Sequence, residues 1–358
     1  MVKKKDSSSG KAKNTNVPSK KKFQQPKKDA PSSSSATLQH QQLILDIYKT
    51  TFHSVLFSPT FTTTLQSVKQ ALFDRDFARA FGSPENLAVY AARYSPTRSL
   101  CYAAILTSLK PHLDAISSPS QPPTHSPRTL PILSIGGGPS ETVAVASFLA
   151  LTSPTPTPSL SIPLTLLDSA PWSPPIAALT TTLTTPSLPS LPPFLPPSHF
   201  STTFIQADCL TTPLPLDSTA PPVLITLLFT LNELFTASGV GATTKFLLGM
   251  TGRVAAGSLL LVVDSPGSYS ETKVGGGGSG GTGSEGGRAY PMGWLVDRIL
   301  LGGEDGDGGG RGWEKVEERG SEWFRLPDGA GKAGTGLEYP IPLENMRYQL
   351  HLYRALGV

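Results

Sequence analysis

Apolar residues recur at helical spacing from Leu43 onward, as the pairs Leu43/Ile44, Ile47/Tyr48, Thr51/Phe52 and Val55/Leu56, which places them on one face of a helix. Ser58-Pro59 opens a second helix with Phe61, Leu65, Val68 and Leu72 on one face. Ser83-Pro84-Glu85 opens a third, and Ser95-Pro96 a fourth that runs through Leu100, Ala104 and Leu106 towards Pro111, because proline is at home in a first helical turn. The expectation is an all-helical region over 37–116. Past a Ser/Pro loop at 117–129 the period changes. Short apolar runs stand at 131–135, 164–167, 203–205, 223–229 and 258–263, each ending on Gly, Asp or Asn. They alternate with helical stretches such as 141–151 and 242–251, which predicts βα units around a parallel sheet. Parallel strands covered on both faces read as unbroken apolar runs, as these do. Residues 346–354 alternate instead, suiting a late antiparallel edge strand. The fold class is α/β, with the sheet in a domain over 130–358.

Composition changes that picture mainly between the elements. With 35 prolines, 34 glycines and only 16% charged residues, much of the 358-residue chain should be loop on one folded domain, not several domains. The tracts at 152–163, 180–198, 275–287 (nine glycines in thirteen residues) and 302–312 are of low complexity and read as surface insertions without assigned function. Residues 1–36 hold almost nothing apolar and are expected to be disordered. Charge is uneven: residues 1–30 carry ten lysines against Asp6 and Asp29, so +8 of the overall +4, and the remainder sums to −4. A basic arm on a mildly acidic body suits nucleic acid or a nuclear import receptor, or else a solvated tail that aids solubility. Cys101 and Cys209 form neither a disulfide framework nor a metal site, and point to a reducing compartment. No stretch reaches about 18 consecutive apolar residues and the lysine-rich start precedes no apolar core, so a soluble, unsecreted protein is expected.

The stretch LSIGGGPSE, residues 133–141, runs from strand into bare backbone and then into a helix start at Pro139. Such a turn lets main-chain amides approach a polar ligand. A phosphate-binding loop would need G-x-x-x-x-G-K-[ST], and no lysine follows at that distance. A dinucleotide fingerprint would need glycine where Glu141 stands, which disfavours a nicotinamide oxidoreductase. S-adenosylmethionine carries no phosphate, and its methionine portion bears an amino group, so a nearby acid is acceptable. Gly136, Gly137 and Gly138 are therefore candidate cofactor contacts. The next strand ends in Asp168, placed for a ribose diol, and the third ends in Asp208 with Cys209; a helix N-cap is the alternative for each acid. The fourth strand runs into Asn232, Glu233 and Phe235, candidates for orienting the acceptor, taking a proton and stacking on an extruded base. The alternative is a cap at Asn232 and a core Phe235. Asp264 ends the fifth strand, and Tyr269 follows it.

Together YAARYSPTRSL (90–100), ILSIGGGPSE (132–141), LLD (166–168), QADCL (206–210), LLFTLNELF (227–235) and VVDSPGSYSE (262–271) resemble the fungal 25S ribosomal RNA uridine-N3 methyltransferases, within the class I S-adenosylmethionine-dependent enzymes. The resemblance covers about Gln41 to the C-terminus. It implies a seven-stranded, mostly parallel Rossmann-like sheet with a final antiparallel hairpin, with Gly136 and Gly138 on the methionine moiety, Asp168 on the ribose, and Asp208 with Cys209 on the adenine. Residues 232–235 have the spacing of the [DN]-P-P-[FY] motif, with Glu233 and Leu234 in place of the prolines; a carboxylate suits the imide proton of uridine N3. Arg93 and Arg98, flanking Tyr94, could clamp RNA phosphate or the cofactor carboxylate, or form structural ion pairs. The partners implied are large-subunit ribosomal RNA or a preribosomal particle and an import receptor, with no membrane; the location implied is the nucleus and nucleolus, with the cytoplasm left open. The competing reading is a catalytically silent methyltransferase-like scaffold in ribosome biogenesis.

Overall fold

The computed structural model describes residues 35–117, 128–152, 160–186, 193–267, 271–274, 288–302, 312–327, 330 and 336–357. The lysine-rich arm, the glycine tract at 275–287 and Tyr269 lie outside them. Six helices come first: α1 (Ser35–Thr51), α2 (His53–Leu56), α3 (Phe61–Phe73), α4 (Phe77–Phe81), α5 (Pro84–Ser108) and α6 (Lys110–Ile116). Helix α3 buries Phe61, Leu65, Val68 and Ala71, close to the face its spacing predicts. Helix α4, absent from the sequence reading, is capped by Asp76, whose side chain accepts the Arg79 N–H at 3.0 Å.

The third and fourth expected helices are a single one. Ser83 caps α5 by accepting the Asn86 N–H, with Pro84 in the first turn, but Pro96 lies inside the helix. An internal proline offers no N–H to the carbonyl four residues back. Here that carbonyl, of Ala92, accepts the Tyr339 hydroxyl at 2.7 Å, so the helix continues without an orphaned acceptor. Arg93, Tyr94 and Arg98 consequently sit in the middle of α5, not at a helix start.

The sheet elements follow in order: β1 (Arg128–Thr129), β2 (Ile132–Ile135), α7 (Pro139–Thr152), β3 (Leu160–Asp168), α8 (Ser173–Thr184), β4 (Phe200–Gln206), β5 (Leu224–Leu228), α9 (Leu231–Glu233), a π-helical turn at Leu234–Ser238, α10 (Gly239–Thr251), β6 (Leu259–Asp264), the hairpin β7 (Glu271–Val274) and β8 (Arg288–Pro291), α11 (Met292–Leu300), β9 (Trp313–Phe324) and β10 (Met346–Ala355). Across the main sheet the order is β4-β3-β2-β5-β6-β10-β9. Strands β2 to β6 are parallel, while β10 is antiparallel to both β6 and β9. The short β1 extends β2 along the same neighbour, β3. Two sequence expectations are corrected here. The stretch 346–354 is not an edge: β10 is paired on both sides, with Leu350, Leu352 and Tyr353 fully buried, and the charged β9 forms the border, as suits an exposed edge. The supposed loops at 152–163 and 180–198 lend residues 160–163 to β3 and 180–184 to α8.

Strands β2, β5 and β6 are buried throughout, so one apolar layer forms on each face. Leu164, Leu166 and Leu224 meet α1, α5, α7 and α8 on one side; Ile135, Leu227 and Val262 meet α10 and α11 on the other. The helical region is tied to this sheet by buried polar bonds. Tyr48 of α1 donates to the Pro139 carbonyl at 2.9 Å, and Ser99 of α5 donates to the Ser140 carbonyl at 2.8 Å. Among the described residues, no helix is long and apolar enough to cross a membrane.

Candidate active site

The C-terminal ends of the parallel strands converge on a cavity of about 610 Å³, roofed by Leu72, Phe77 and Phe81 from α3 and α4. The three glycines below it do different jobs. Gly136 has φ +70°, and a Cβ there would come within 2.2 Å of Thr230 Oγ1; only glycine takes that conformation without strain. Its N–H donates to the Leu167 carbonyl at 2.8 Å, joining the turn to β3. A Cβ on Gly137 would meet Ser134 Oγ at 2.5 Å, so this glycine serves packing. Gly138 borders the cavity, a Cβ added there would lie 3.5 Å from the Trp172 ring, and its N–H donates to Glu141 Oε2 at 2.8 Å. Burial pushes the Glu141 carboxyl up to about 7, against the pull of the Gly138 N–H and of Arg98.

Asp168, at the end of β3, borders the same cavity. Its carboxylate accepts the Ala170 N–H at 2.7 Å, and burial pushes it up to about 6 against hydrogen bonds from Ala170 and the Trp172 side chain. Asp208 also borders the cavity, while its Oδ1 accepts the Leu210 N–H at 2.9 Å, a local turn bond. Cys209 is not part of the lining; it packs against the apolar layer, where burial pushes its thiol up to about 12.

The stretch after β5 divides. Glu233 and Leu234 border the cavity together with Ala237 and Ser238 of the π-helical turn, a kind of irregularity frequent at functional sites. Asn232 is buried, and its backbone N–H donates to Asp264 Oδ2 at 2.9 Å. Asp264 also accepts the Ser265 N–H at 2.8 Å, bracing the turn from β6. Phe235 is 1% exposed in the apolar layer. Asn232 and Phe235 therefore do not reach the cavity, because residues three apart on this helical turn share its core-facing side. The stacking expected of Phe235 is not available to it. Glu233 is held instead by Arg75, whose Nη1 donates to Oε2 at 3.0 Å and to Thr236 Oγ1 at 2.8 Å.

On α5, Arg98 and Tyr94 border the cavity. Arg98 donates to the Tyr90 hydroxyl at 2.5 Å, and its guanidinium lies 5.6 Å and 5.7 Å from the Tyr90 and Phe229 ring centres. Arg93 is buried, pairs with Glu344 and lies over the Tyr94 ring at 5.2 Å; it faces a neighbouring, smaller cavity. Sequence reasoning missed Trp172, Tyr90 and Phe229. Trp172 and Tyr90 close the aromatic wall, with ring centres 5.5 Å apart. Phe229 has φ +56°, a conformation no residue pattern announces.

These features fit S-adenosylmethionine. The volume lies within the range of cofactor sites, about 300–1,000 Å³. Gly138 offers uncovered main chain, Asp168 an acceptor for vicinal hydroxyls, and Arg98 with Glu141 opposite charges for an amino-acid zwitterion.

Comparison with known proteins agrees. Residues 48–354 match the family of SAM-dependent methyltransferases. The chain is 31% identical, over 92% of its own length and 89% of the relative's, to the 25S rRNA (uridine(2843)-N(3))-methyltransferase of Saccharomyces cerevisiae. Among solved structures it is similar to the N-methyltransferase NodS from Bradyrhizobium japonicum in complex with S-adenosyl-L-homocysteine (14% identity, 76% of this chain and 97% of that one, TM-score 0.35). It is also similar to SAM-bound CalS10, an amino pentose methyltransferase from Micromonospora echinaspora (13%, 71% and 91%, TM-score 0.32). With a glycine turn, an acid at the next strand end and an antiparallel final strand inside a match that spans most of its length, the chain belongs to the family of SAM-dependent methyltransferases.

Proposed function

We propose that this methyltransferase modifies N3 of a uridine in large-subunit (25S) ribosomal RNA. The observation that carries the reading is the 31% identity to the yeast uridine-N3 enzyme, sustained over 92% of this chain. S-adenosylmethionine supplies a methyl group already activated by its sulfonium, so the protein's work is alignment, exclusion of water and management of one proton. Asp168 would hold the ribose hydroxyls, Gly136 and Gly138 the methionine portion, and Asp208 the adenine side. Leu72, Phe77 and Phe81, which line the cavity, would shield the reacting centre from water once the ligands are bound. As the N3–H proton leaves, negative charge spreads onto the uracil carbonyl oxygens, and the fixed guanidinium of Arg98 stabilises it. Glu233, the member of the 232–235 stretch that borders the cavity, is the proton acceptor in this scheme. N3 lies on the Watson–Crick edge, so the target is unpaired or extruded when it reacts.

This reading places the protein in the nucleus and nucleolus, on ribosomal RNA or a preribosomal particle, with the lysine runs at 3–5, 20–22 and 27–28 serving phosphate contact and an import receptor. Mass spectrometry of ribosomal RNA nucleosides from cells lacking the gene tests it. The 3-methyluridine signal should fall by one site, return with the intact gene and stay absent with Asp168→Ala; an unchanged signal refutes the assignment.

A further inference from the structure

We infer that the smaller cavity beside the cofactor site receives the target uracil. This inference rests on the uridine reading above and assigns residues to it. The cavity, about 190 Å³, lies between α5 and the segment entering β10, and it shares Tyr94, Arg98 and Phe229 with the larger one. The two cavities adjoin at these three side chains, so a ring lodged in the smaller one turns an edge toward the cofactor site. A cavity of roughly 150 Å³ holds one benzene ring, so this one is sized for a single pyrimidine.

Its chemistry suits uracil in particular. Tyr94 and Phe229 offer aromatic faces for stacking. The polar members are mostly donors: Arg98, Arg347, Asn345 and Thr97. Asn345 Oδ1 already accepts the Leu326 N–H at 2.8 Å, which leaves its amide hydrogens to donate. Uracil presents carbonyl acceptors on both sides of N3, whereas cytosine carries an amino donor in place of one of them; a donor-rich pocket repels that amino group. Two further observations point to a ligand. Thr97 is 5% exposed, and its buried hydroxyl has no hydrogen-bond partner among the described residues, a deficit that an arriving carbonyl oxygen can relieve. Phe229 holds φ +56° at the wall shared by both cavities, and strain of this kind collects at ligand clamps. The buried Arg93, paired with Glu344, fixes the side of the pocket next to Tyr94.

The test uses the full chain, radiolabelled S-adenosylmethionine, and ribosomal RNA or preribosomal particles from cells lacking the gene. Thr97→Val should lower kcat/KM for RNA by roughly threefold to tenfold and Arg347→Ala by roughly tenfold to a hundredfold, each with the cofactor Kd within twofold of the parent. Thr97→Ser should restore activity, because it restores the donor. If both variants methylate as fast as the parent, or if their cofactor Kd weakens as much as kcat/KM falls, the pocket assignment is overturned while uridine methylation stands. If the parent itself labels no uridine, the functional reading falls instead. Arg347 is exposed, so its variant decides the matter should the Thr97 variant fail to fold.

Discussion

At the scale of single residues, the two acids of the cofactor cavity make opposite demands on pH. Burial pushes the Asp168 carboxyl up to about 6, and in the proposed cofactor mode it is the ionised form that would accept two hydroxyl donors. Affinity for S-adenosylmethionine should therefore be level at high pH and fall about tenfold per unit as pH drops below 6. Calorimetric titrations from pH 5 to 8.5 measure this, most cleanly in a Glu141→Gln background that removes the second acid. Asp168→Asn should bind about ten to a hundred times more weakly at pH 8, the worth of a hydrogen bond to a charged group, and show no inflection near 6. Glu141 bears on stability. Its carboxyl is raised by burial from the ordinary glutamate value to about 7, so between roughly pH 4.3 and 7 the folded chain binds more protons than the unfolded one. Stability then falls as pH rises through that window and stays low above it, by about 4 kcal/mol at roughly 1.4 kcal/mol per pKa unit. Glu141→Gln, which can still accept the Gly138 N–H, should remove Glu141's share of this loss and leave the smaller shares of Asp168 and Asp264, whose carboxyls burial raises to about 6. Urea unfolding at pH 5 and pH 8 gives the comparison, and equal slopes for parent and variant would refute it.

At the scale of elements, what was legible and what was not divide along a physical line. The central parallel strands β2, β5 and β6 were legible because each is buried on both faces and reads as an apolar run, as 224–228 and 259–263 do. The glycine turn and Asp168 were legible because bare backbone followed by an acid at the next strand end is a local pattern. Helix α5 was not, because the feature that lets it pass Pro96 lies late in the chain: the Tyr339 hydroxyl takes over the Ala92 carbonyl. Asn232 and Phe235 keep the spacing of the motif, but helical phase turns both toward the core while Glu233 faces the cavity, and that phase depends on the turn after β5, which spacing alone does not fix. The α5 arrangement makes a sharp prediction. Tyr339→Phe leaves a buried carbonyl without its donor and should destabilise by about 1–3 kcal/mol. Pro96→Ala restores an N–H within the helix, so the double variant should recover part of that loss. A double-mutant cycle by denaturant unfolding reads the coupling; strict additivity of the two changes would show that the hydroxyl does not stand in for the missing amide.

At the scale of the whole molecule, the proposed function gives catalysis and attraction of RNA to different parts of the chain. The described body supplies the cofactor cavity and the neighbouring pocket, and its helices α1 and α5 are bound to the start of α7 through Tyr48 and Ser99. Outside residues 1–30 the formal charge is −4, whereas those thirty residues carry +8. A polyanion should therefore be attracted mainly by the arm, and the body should contribute recognition at short range. Attraction of that origin comes from release of counterions, and on single strands each phosphate neutralised adds about 0.7 to the slope of log affinity against log salt. Removing residues 1–34 should thus flatten the salt dependence of RNA binding by about 0.7 for every lysine that meets phosphate. Affinity should fall most at 50 mM salt and converge with that of the full chain at high salt. The cofactor Kd should be unchanged, since the described residues that line the cavity run from Leu72 to Ser238. Filter binding of ribosomal RNA over a salt series, run beside calorimetry with S-adenosylmethionine, measures both quantities. Parallel slopes for the full and shortened chains would mean that the lysines never touch RNA and act only in transport or solubility.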